Sequence, residues 1–271
     1  MGLSITDYNI RVPKLSSISR RNFIKLAGAA CSGVLGSTLL PHMNGSAGPG
    51  AASVVIYHGN RDLANVAMTF DDCYDLNLLQ QWADFLDNYP DARMTFFPVG
   101  MALENAALKK PDLWKNLLAK GHEVGYHSYI HALPSSLSDS EALEDYEKWF
   151  AAATSAIGTE PRIHVARPPF GELSQSFLNM CSENDLTAVM WTRSWGMSDV
   201  NFEKEKGRAQ KGDIILFHVR IQDLDNAKIA LPYFLSHGFN PVTLTELYTL
   251  GRQPRDEPPP CRPNPRKVCA L

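Results

Sequence analysis

Short apolar runs alternate with amphipathic segments along residues 53–251 of the chain. The runs show little apolar–polar alternation, which is typical of parallel strands whose two faces are both buried. Seven such runs are present, at residues 66–70, 94–99, 123–126, 164–167, 188–191, 213–218 and 241–244. We therefore predict a sheet of about seven parallel strands.

The segments between the runs have the period of an amphipathic helix. Apolar residues recur at three- and four-residue spacing in two of them, at Leu76, Leu79, Ala83 and Leu86 and at Leu143, Tyr146, Phe150, Ala153 and Ile157. Ser138, with Glu141 three residues later, predicts a capping box at one helix start, and Ser174 predicts another helix start. Each helix would cover the sheet with its apolar face.

Strand and helix alternate seven times, which predicts an α/β fold with crossover helices between parallel strands. The sheet would close, or nearly close, into a (β/α) barrel, and an open doubly wound sheet is the alternative. In both architectures the active residues lie at the carboxyl ends of the strands. A chain of 271 residues fits one such domain, which we place at residues 48–251.

Residues 1–47 have the composition of an export signal rather than of a folded domain. Arg20 and Arg21 stand in the stretch Ser-Arg-Arg-Asn-Phe-Ile-Lys, and mostly small and apolar residues follow at 26–40. This resembles a twin-arginine signal, which implies passage of the folded protein through the export machinery to the periplasm or cell surface. The apolar stretch is shorter than the roughly 20 residues of a membrane span. Lipid attachment at Cys31 and an ordinary amphipathic helix are the alternatives.

The last segment, residues 252–271, is rich in proline and arginine and is predicted to be an irregular tail. Cys261 and Cys269 lie in this tail. Because an exported protein meets a compartment that permits disulfides, we predict a disulfide bond between these two cysteines.

The charge of the chain excludes one class of partner. There are 26 lysines and arginines against 29 aspartates and glutamates, for a formal net charge of −3. Residues 1–47 contain five of the basic residues and one of the acidic ones, so the remainder carries −7. Binding to a nucleic-acid backbone needs clustered lysine and arginine, so we expect no nucleic-acid partner.

Two pairs of polar residues follow predicted strands and suit a metal ion. Asp71 and Asp72 come directly after the first run, where neighbouring carboxylates lose hydration and repel each other unless a cation compensates them. His127 and His131 follow the third run, and their spacing would put both imidazoles on one side of a helical turn, in reach of one ion. A turn or helix cap made by the aspartates, and a chance histidine pair, are the alternatives.

Two further strand ends carry groups that suit acid–base chemistry. One holds Arg167, Pro168, Pro169, Phe170 and Gly171 in succession. Arg167 could hold a carboxylate such as Asp71, while the prolines and the glycine let the backbone approach a ligand closely. His218 ends the sixth run and could donate a proton near neutral pH. Taken singly, Arg167 and His218 each also suit a structural role.

In order and spacing these motifs resemble those of the NodB-homology polysaccharide deacetylases, carbohydrate esterase family 4. The resemblance is carried by Thr-Phe-Asp71-Asp72, His127-Ser-Tyr-Ile-His131, Arg167-Pro-Pro-Phe-Gly171 and Leu-Phe-His218, and residues 95–100 are similar to the family's second strand. It runs from residue 54 to residue 250. The resemblance implies an incomplete or distorted (β/α) barrel that holds one divalent metal.

The resemblance also assigns roles to individual residues. The metal ligands would be Asp72, His127 and His131, with zinc expected and cobalt or nickel as alternatives. Asp71 would be the general base, Arg167 would orient it, and His218 would be the general acid. The segment from Pro168 to Gly171 would contact the substrate.

Three features depart from the family pattern. Cys73 stands where the family usually has glycine, and Phe170 stands where tyrosine is common. We interpret Cys73 as a small buried apolar residue, with a narrowed site or metal ligation by its thiol as alternatives. The family's fourth motif is poorly kept: Asp199 is the candidate acid that would tune His218, and Trp195 is the candidate wall of the sugar site, with a place in the core as the alternative.

The predicted activity is hydrolysis of N-acetyl groups on polysaccharide that contains N-acetylglucosamine, such as peptidoglycan, another surface polysaccharide or chitin-like chains, with release of acetate. A second enzymatic hypothesis keeps the metal and acts on acetate esters or small amides. A third is a catalytically silent relative that binds carbohydrate. Besides the acetylated polysaccharide and the export machinery, we infer no stable protein partner.

Overall fold

A computed structural model of the chain describes residues 54–196 and 202–249. This part of the chain contains short β-strands and α-helices in alternation, with two 3-10 turns at Pro134–Ser136 and Pro169–Gly171. The strands are β1 (Val55–Ile56), β2 (Asn65–Asp72), β3 (Thr95–Pro98), β4 (Glu123–Val124), β5 (Val165–Ala166), β6 (Thr187–Val189), β7 (Arg193–Ser194), β8 (Ile214–His218) and β9 (Asn240–Pro241). The helices are α1 (Leu76–Leu86), α2 (Gly100–Lys109), α3 (Leu113–Ala119), α4 (Asp139–Ile157), α5 (Gln175–Glu183), α6 (Phe202–Lys206), α7 (Ile221–Ser236) and α8 (Leu244–Thr249).

Every strand pair in the described residues is parallel. One sheet runs β4-β3-β2-β8-β7, with β9 paired to the start of β2, and a second runs β1-β6-β5. A single bridge between Tyr126 and Ala166 joins the two sheets beside β4 and β5. The sheets thus form an incomplete, distorted (β/α) barrel, which confirms the predicted fold class.

Each of the seven predicted strands overlaps an observed strand, although the run at 241–244 shares only Pro241 with β9, and β1 and β7 were not predicted. Both are two residues long and lie at the ends of the paired series, and Arg193 and Ser194 of β7 are polar. Such short or polar strands leave no apolar run in the sequence.

The helix starts and the buried face of α1 are confirmed, whereas on α4 Tyr146, Ala153 and Ile157 are buried but Leu143 and Phe150 are only half-buried. Leu76, Leu79, Ala83 and Leu86 are all buried on α1. The capping box of Ser138 and Glu141 opens α4, and the Ser174 side chain accepts a hydrogen bond from Phe177 N at the start of α5.

An aromatic cluster packs between the central strands β2, β3 and β8 and helix α1. The Phe70 ring of β2 packs on Trp82, Phe96 and Phe217, with centroids 5.1 to 5.4 Å apart. The register between β2 and β8 then pairs Asp71 with His218. Two of the predicted functional residues are therefore neighbours at the carboxyl rim of the barrel.

Several predictions fall on residues outside the described ranges. They are the export signal at 1–47, the alternative of lipid attachment at Cys31, the acid Asp199, the tail at 252–271 and the disulfide bond between Cys261 and Cys269. Among the helices of the described ranges, none has both the length and the apolar character that crossing a membrane requires.

Candidate active site

The end of β2 turns so that the carboxylates of two successive aspartates both face His127. Side chains that follow each other on a strand normally point to opposite faces. Here Asp72 has a φ of 67°, and Cys73 follows with a φ of 59°. As a result, Asp71 Oδ2 and Asp72 Oδ1 lie 3.8 and 3.5 Å from the same atom, His127 Nε2.

Cys73 itself is fully buried, as a small apolar residue would be, and its thiol lies 3.6 Å from the Phe70 carbonyl oxygen. Burial, reinforced by the two aspartates, raises the pKa of this thiol. Its left-handed backbone also explains why a glycine would fit this position without strain.

The loop between β4 and α4 carries both histidines. The prediction that they share a helical turn is wrong, because the loop is irregular and both Ser128 and His131 have left-handed backbone, with φ of 65° and 58°. Asp145 of α4 organises this loop: its carboxylate accepts hydrogen bonds from Tyr126 Oη at 2.5 Å, Ser128 Oγ at 3.1 Å and Tyr129 N at 2.8 Å. Left-handed conformations of this kind persist where surrounding contacts impose them.

One atom each of Asp72, His127 and His131 lies within 4.8 Å of the others, which is close enough to hold one metal ion. The His127 Nδ1 atom lies 2.8 Å from the Arg167 carbonyl oxygen, so Nδ1 carries the proton and the lone pair of Nε2 faces Asp72. His131 Nε2 is 3.3 Å from Asp72 Oδ1. Within the described ranges this buried oxygen has no hydrogen-bond partner. A buried carboxylate oxygen that faces two imidazole nitrogens fits a divalent cation.

The electrostatics of Asp72 and His131 agree with a site for a cation. Burial would lower the pKa of His127, but Asp71, Asp72 and the Arg167 carbonyl oxygen outweigh it and raise that pKa. Burial would raise the pKa of the Asp72 carboxyl, but His127, His218 and His131 outweigh it and lower that pKa to about 2. Asp72 is therefore ionised at neutral pH. Burial and the neighbouring His127 lower the pKa of His131, which keeps its ring nitrogen available to a metal.

Arg167 holds Asp71 in place from beneath the rim. Its guanidinium is fully buried, and Nη1 donates to Asp71 Oδ1 at 2.8 Å and to Thr69 Oγ1 at 2.7 Å. The guanidinium carbon lies 4.4 Å from the centre of the Phe97 ring. Because Oδ1 is taken by Arg167, the Oδ2 atom of Asp71 is the one presented to the site.

His218 ends β8 opposite Asp71, and its partner is an acid that the sequence analysis missed. Asp223 Oδ2 lies 3.1 Å from His218 Nδ1 and also accepts a hydrogen bond from the His218 backbone N–H at 2.6 Å. The Asp223 residue is 1% exposed in the first turn of α7. A Cβ atom at Gly196 would overlap Asp223 Oδ2, so glycine at 196 makes room for the carboxylate.

Asp199, the acid predicted to tune His218, is outside the described residues. Within them, the acid in contact with the His218 ring is Asp223. The sequence shows an acid five residues after the strand-end histidine, in the first turn of a helix, but this spacing alone does not show that the carboxylate turns back onto the ring.

Trp195 lies in the core, and the prediction that it walls the sugar site is wrong. It is 1% exposed, and its ring packs on Phe202, Phe217 and Phe234. A side chain enclosed by three aromatic rings has no face left for a sugar.

The segment after Arg167 divides into buried and exposed parts. Pro168 and Pro169 are buried, and Gly171 has a φ of 70°, with Trp191 only 2.7 Å from where a Cβ would lie. Phe170, by contrast, is 67% exposed and sets its ring edge-on to His131 at 4.5 Å. The prolines and the glycine thus fix the backbone, while Phe170 offers an apolar surface beside the candidate metal ligands.

The family model for polysaccharide deacetylase matches residues 58–189. A peptidoglycan-N-acetylglucosamine deacetylase of Bacillus cereus is 30% identical over 201 residues, which cover 67% of this chain and 87% of that protein. The chain belongs to the polysaccharide deacetylase family. The matched span contains Asp71, Asp72, both site histidines and Arg167, whereas His218 and Asp223 lie beyond it.

Two solved structures of this family resemble the fold. A carbohydrate esterase family 4 pseudoenzyme from Bacillus anthracis superposes with a TM-score of 0.64 at 21% identity, covering 72% of this chain and 69% of that one. A peptidoglycan N-acetylglucosamine deacetylase in complex with 4-naphthalen-1-yl-N-oxidanyl-benzamide gives a TM-score of 0.62 at 26% identity, covering 73% and 94%. The fold is thus that of family members with and without activity.

Proposed function

We propose that this protein is a metal-dependent hydrolase that removes N-acetyl groups from polysaccharide containing N-acetylglucosamine and releases acetate. The observation that carries the proposal is the buried, unpartnered Asp72 Oδ1 facing two imidazole nitrogens, with the Arg167-bound carboxylate of Asp71 beside it. The name of the Bacillus cereus relative supports an amide-linked acetyl group on a sugar as the substrate.

Asp72, His127 and His131 would hold the metal. Two imidazoles and one carboxylate form a three-ligand set that leaves positions open for water and substrate, as in catalytic zinc sites. We propose zinc, with cobalt or nickel as alternatives. When bound there, the cation would supply Lewis-acid polarisation of the acetyl carbonyl and activation of water for attack.

The other side chains would move protons. Asp71 accepts the proton of the attacking water at Oδ2, because Arg167 occupies Oδ1 and keeps the carboxylate aimed at the site. A backbone N–H near Phe170 would help to stabilise the negative oxygen of the tetrahedral intermediate. His218 protonates the departing amine, and Asp223 holds the ring through Nδ1 so that Nε2 is the proton-donating atom.

We further propose that residues 1–47 direct the folded protein through twin-arginine export to the periplasm or cell surface. Replacing Arg20 and Arg21 with lysine should retain the protein in the cytoplasm, as fractionation and immunoblotting would show. Unchanged export of the double variant would contradict this route.

Acetate release from a panel of acetylated substrates tests the activity. The panel contains peptidoglycan, chitin oligosaccharides, acetylated xylan and a small N-acetyl amide, each with added zinc, cobalt or nickel. We expect the wild type to release acetate from an N-acetylated glycan, Asp71→Asn to lose this activity, and Asp91→Asn, an exposed aspartate before β3, to keep it.

Metal content provides an independent measurement. His127→Ala should lose the bound ion, and full retention would contradict the ligand assignment. If the wild type binds glycan but releases no more acetate than Asp71→Asn on any substrate, the protein is a silent relative. Release from xylan alone would favour an acetyl esterase.

A further inference from the structure

Arg220 is a solvent-facing cation beside the candidate metal ligands, and none of the roles above uses it. Its backbone N–H lies 2.9 Å from the His218 carbonyl oxygen and closes a tight turn between β8 and α7. The side chain is 63% exposed. The mouth of the site therefore carries a guanidinium that the proposed proton transfers do not need.

The two oxygens of Asp72 have different surroundings. Oδ1 faces the imidazoles, whereas Oδ2 lies 3.4 Å from Arg220 Nη2. This single long contact engages a small part of a guanidinium, which offers five N–H donors in a planar fork. Since most of the side chain faces solvent, the other donors are in reach of a ligand at the mouth of the site.

The exposed guanidinium of Arg220 is the feature of the site that favours an anionic ligand at this place. Residues 71–75, 127–133, 167–173 and 218–221 form the candidate site, and Arg167 and Arg220 are the only lysines or arginines in them. Arg167 is buried against Asp71 and compensates it. The acids in the same segments are Asp71, Asp72, Asp75 and Glu172, so a divalent cation and the two arginines would bring their formal charge to zero. Asp75 and Glu172 accept hydrogen bonds from backbone N–H groups, whereas most of the Arg220 side chain faces solvent. An anion beside the acetylated sugar would gain from this exposed guanidinium, and a neutral sugar would gain less.

We propose that Arg220 binds a carboxylate on the sugar next to the acetylated residue, so that the enzyme prefers an acidic N-acetylated glycan to a neutral one. The inference rests on the proposed deacetylase function. A planar carboxylate matches the guanidinium fork with two parallel hydrogen bonds. The lactyl ether of muramic acid and the acid group of a uronic acid both present this group.

The test compares tetrasaccharides of equal length. One alternates N-acetylglucosamine with N-acetylmuramic acid, one alternates it with glucuronic acid, and one is neutral chitotetraose. Acetate release gives kcat/KM for each, and calorimetry on zinc-loaded Asp71→Asn protein gives the affinity without turnover. Arg220→Gln is compared with Arg220→Lys and with Lys228→Gln, a partly exposed cation further along α7.

We expect Arg220→Gln to lower the acidic-to-neutral ratio, in kcat/KM and in affinity, by about tenfold, the loss of one charged hydrogen-bonded contact. Arg220→Lys should recover part of the ratio, and Lys228→Gln should leave it unchanged. Added salt should weaken the wild-type preference for an acidic chain. A response to the muramic chain alone, or to the uronic chain alone, supports the inference and identifies the source of the carboxylate.

An equal fall in kcat/KM on acidic and neutral glycans in Arg220→Gln would overturn the inference. The inference would also fail if Lys228→Gln lowered the acidic-to-neutral ratio as much as Arg220→Gln does. Weaker zinc binding by Arg220→Gln would instead assign Arg220 to holding Asp72. If the wild type releases no acetate while the affinity ratio responds as expected, the proposed activity fails and the carboxylate site stands.

Discussion

Replacing Asp145 with alanine is expected to loosen the loop that carries both site histidines, although Asp145 belongs to α4. Its carboxylate accepts three hydrogen bonds from residues 126–129, at 2.5, 3.1 and 2.8 Å. Alanine would leave these largely buried donors unsatisfied, at roughly 1–3 kcal/mol for each donor that water cannot reach. We expect the free energy of unfolding to fall by about 4 kcal/mol and Tm to fall by about 10 °C.

The same change should weaken metal binding. Ser128 and His131 hold left-handed φ angles of 65° and 58°, each of which costs about 1 kcal/mol or more. Without the bonds to Asp145 the loop is free to relax, and the His131 imidazole leaves its place opposite Asp72. We expect the Kd for zinc to rise by about tenfold or more. Urea unfolding measures the stability of the metal-free protein, and competition with a chromophoric chelator measures the Kd.

Two variants make the comparison sharp. Glu147→Ala removes an exposed acid from the same helix and should change stability by less than about 0.5 kcal/mol. Asp145→Asn keeps the oxygen that accepts from Tyr126 and Tyr129, so it should lie between wild type and alanine. If Asp145→Ala destabilises the protein but binds zinc as the wild type does, Asp145 does not shape the metal loop and the reasoning fails.

Three further predictions concern other parts of the structure. Burial, with a contribution from Lys120, lowers the pKa of His122 to about 4, so below the ordinary value of 6.5 the unfolded chain takes up a proton that the folded protein does not. Between pH 7 and 4 the wild type should therefore lose about 3 kcal/mol more of its free energy of unfolding than His122→Asn in urea titrations. An equal loss in the two proteins would contradict this. Asp223→Asn should lower kcat about a hundredfold with little change in KM, because an amide also stabilises the other tautomer of His218. Ring ¹⁵N shifts of His218 report that tautomer, and unchanged shifts with unchanged kcat would refute the positioning role. Trp195→Phe should lower stability by about 1–2 kcal/mol and leave KM unchanged, whereas a raised KM in the folded variant would return Trp195 to the sugar site.

Much of the candidate site could be predicted from local sequence. Asp71, Asp72 and His218 each end an apolar run, and the carboxyl ends of parallel strands meet at one rim, so their proximity follows from the strand pattern alone. The ion pair of Asp71 with Arg167 follows from the same rule, because both stand at strand ends and carry opposite charge. The buried face of α1 was equally readable, since spacing along a helix decides which residues share a face.

Two features were beyond the reach of local sequence. The conformation of the histidine loop depends on Asp145. This residue lies 16 to 19 residues further along the chain than the groups it binds, so no local pattern connects the two. The partner of His218 depends on the direction in which α7 leaves the turn, which brings the Asp223 carboxylate back onto the ring.

By itself, then, the sequence determined which residues stand at the barrel rim and which face of α1 is buried. Only the tertiary structure decided their partners: Asp145 for the histidine loop, Asp223 for His218, Arg220 for the outer oxygen of Asp72, and the core for Trp195. The physical reason is that strand and helix periodicity act over a few residues, whereas hydrogen bonds and burial depend on packing between elements far apart in the chain.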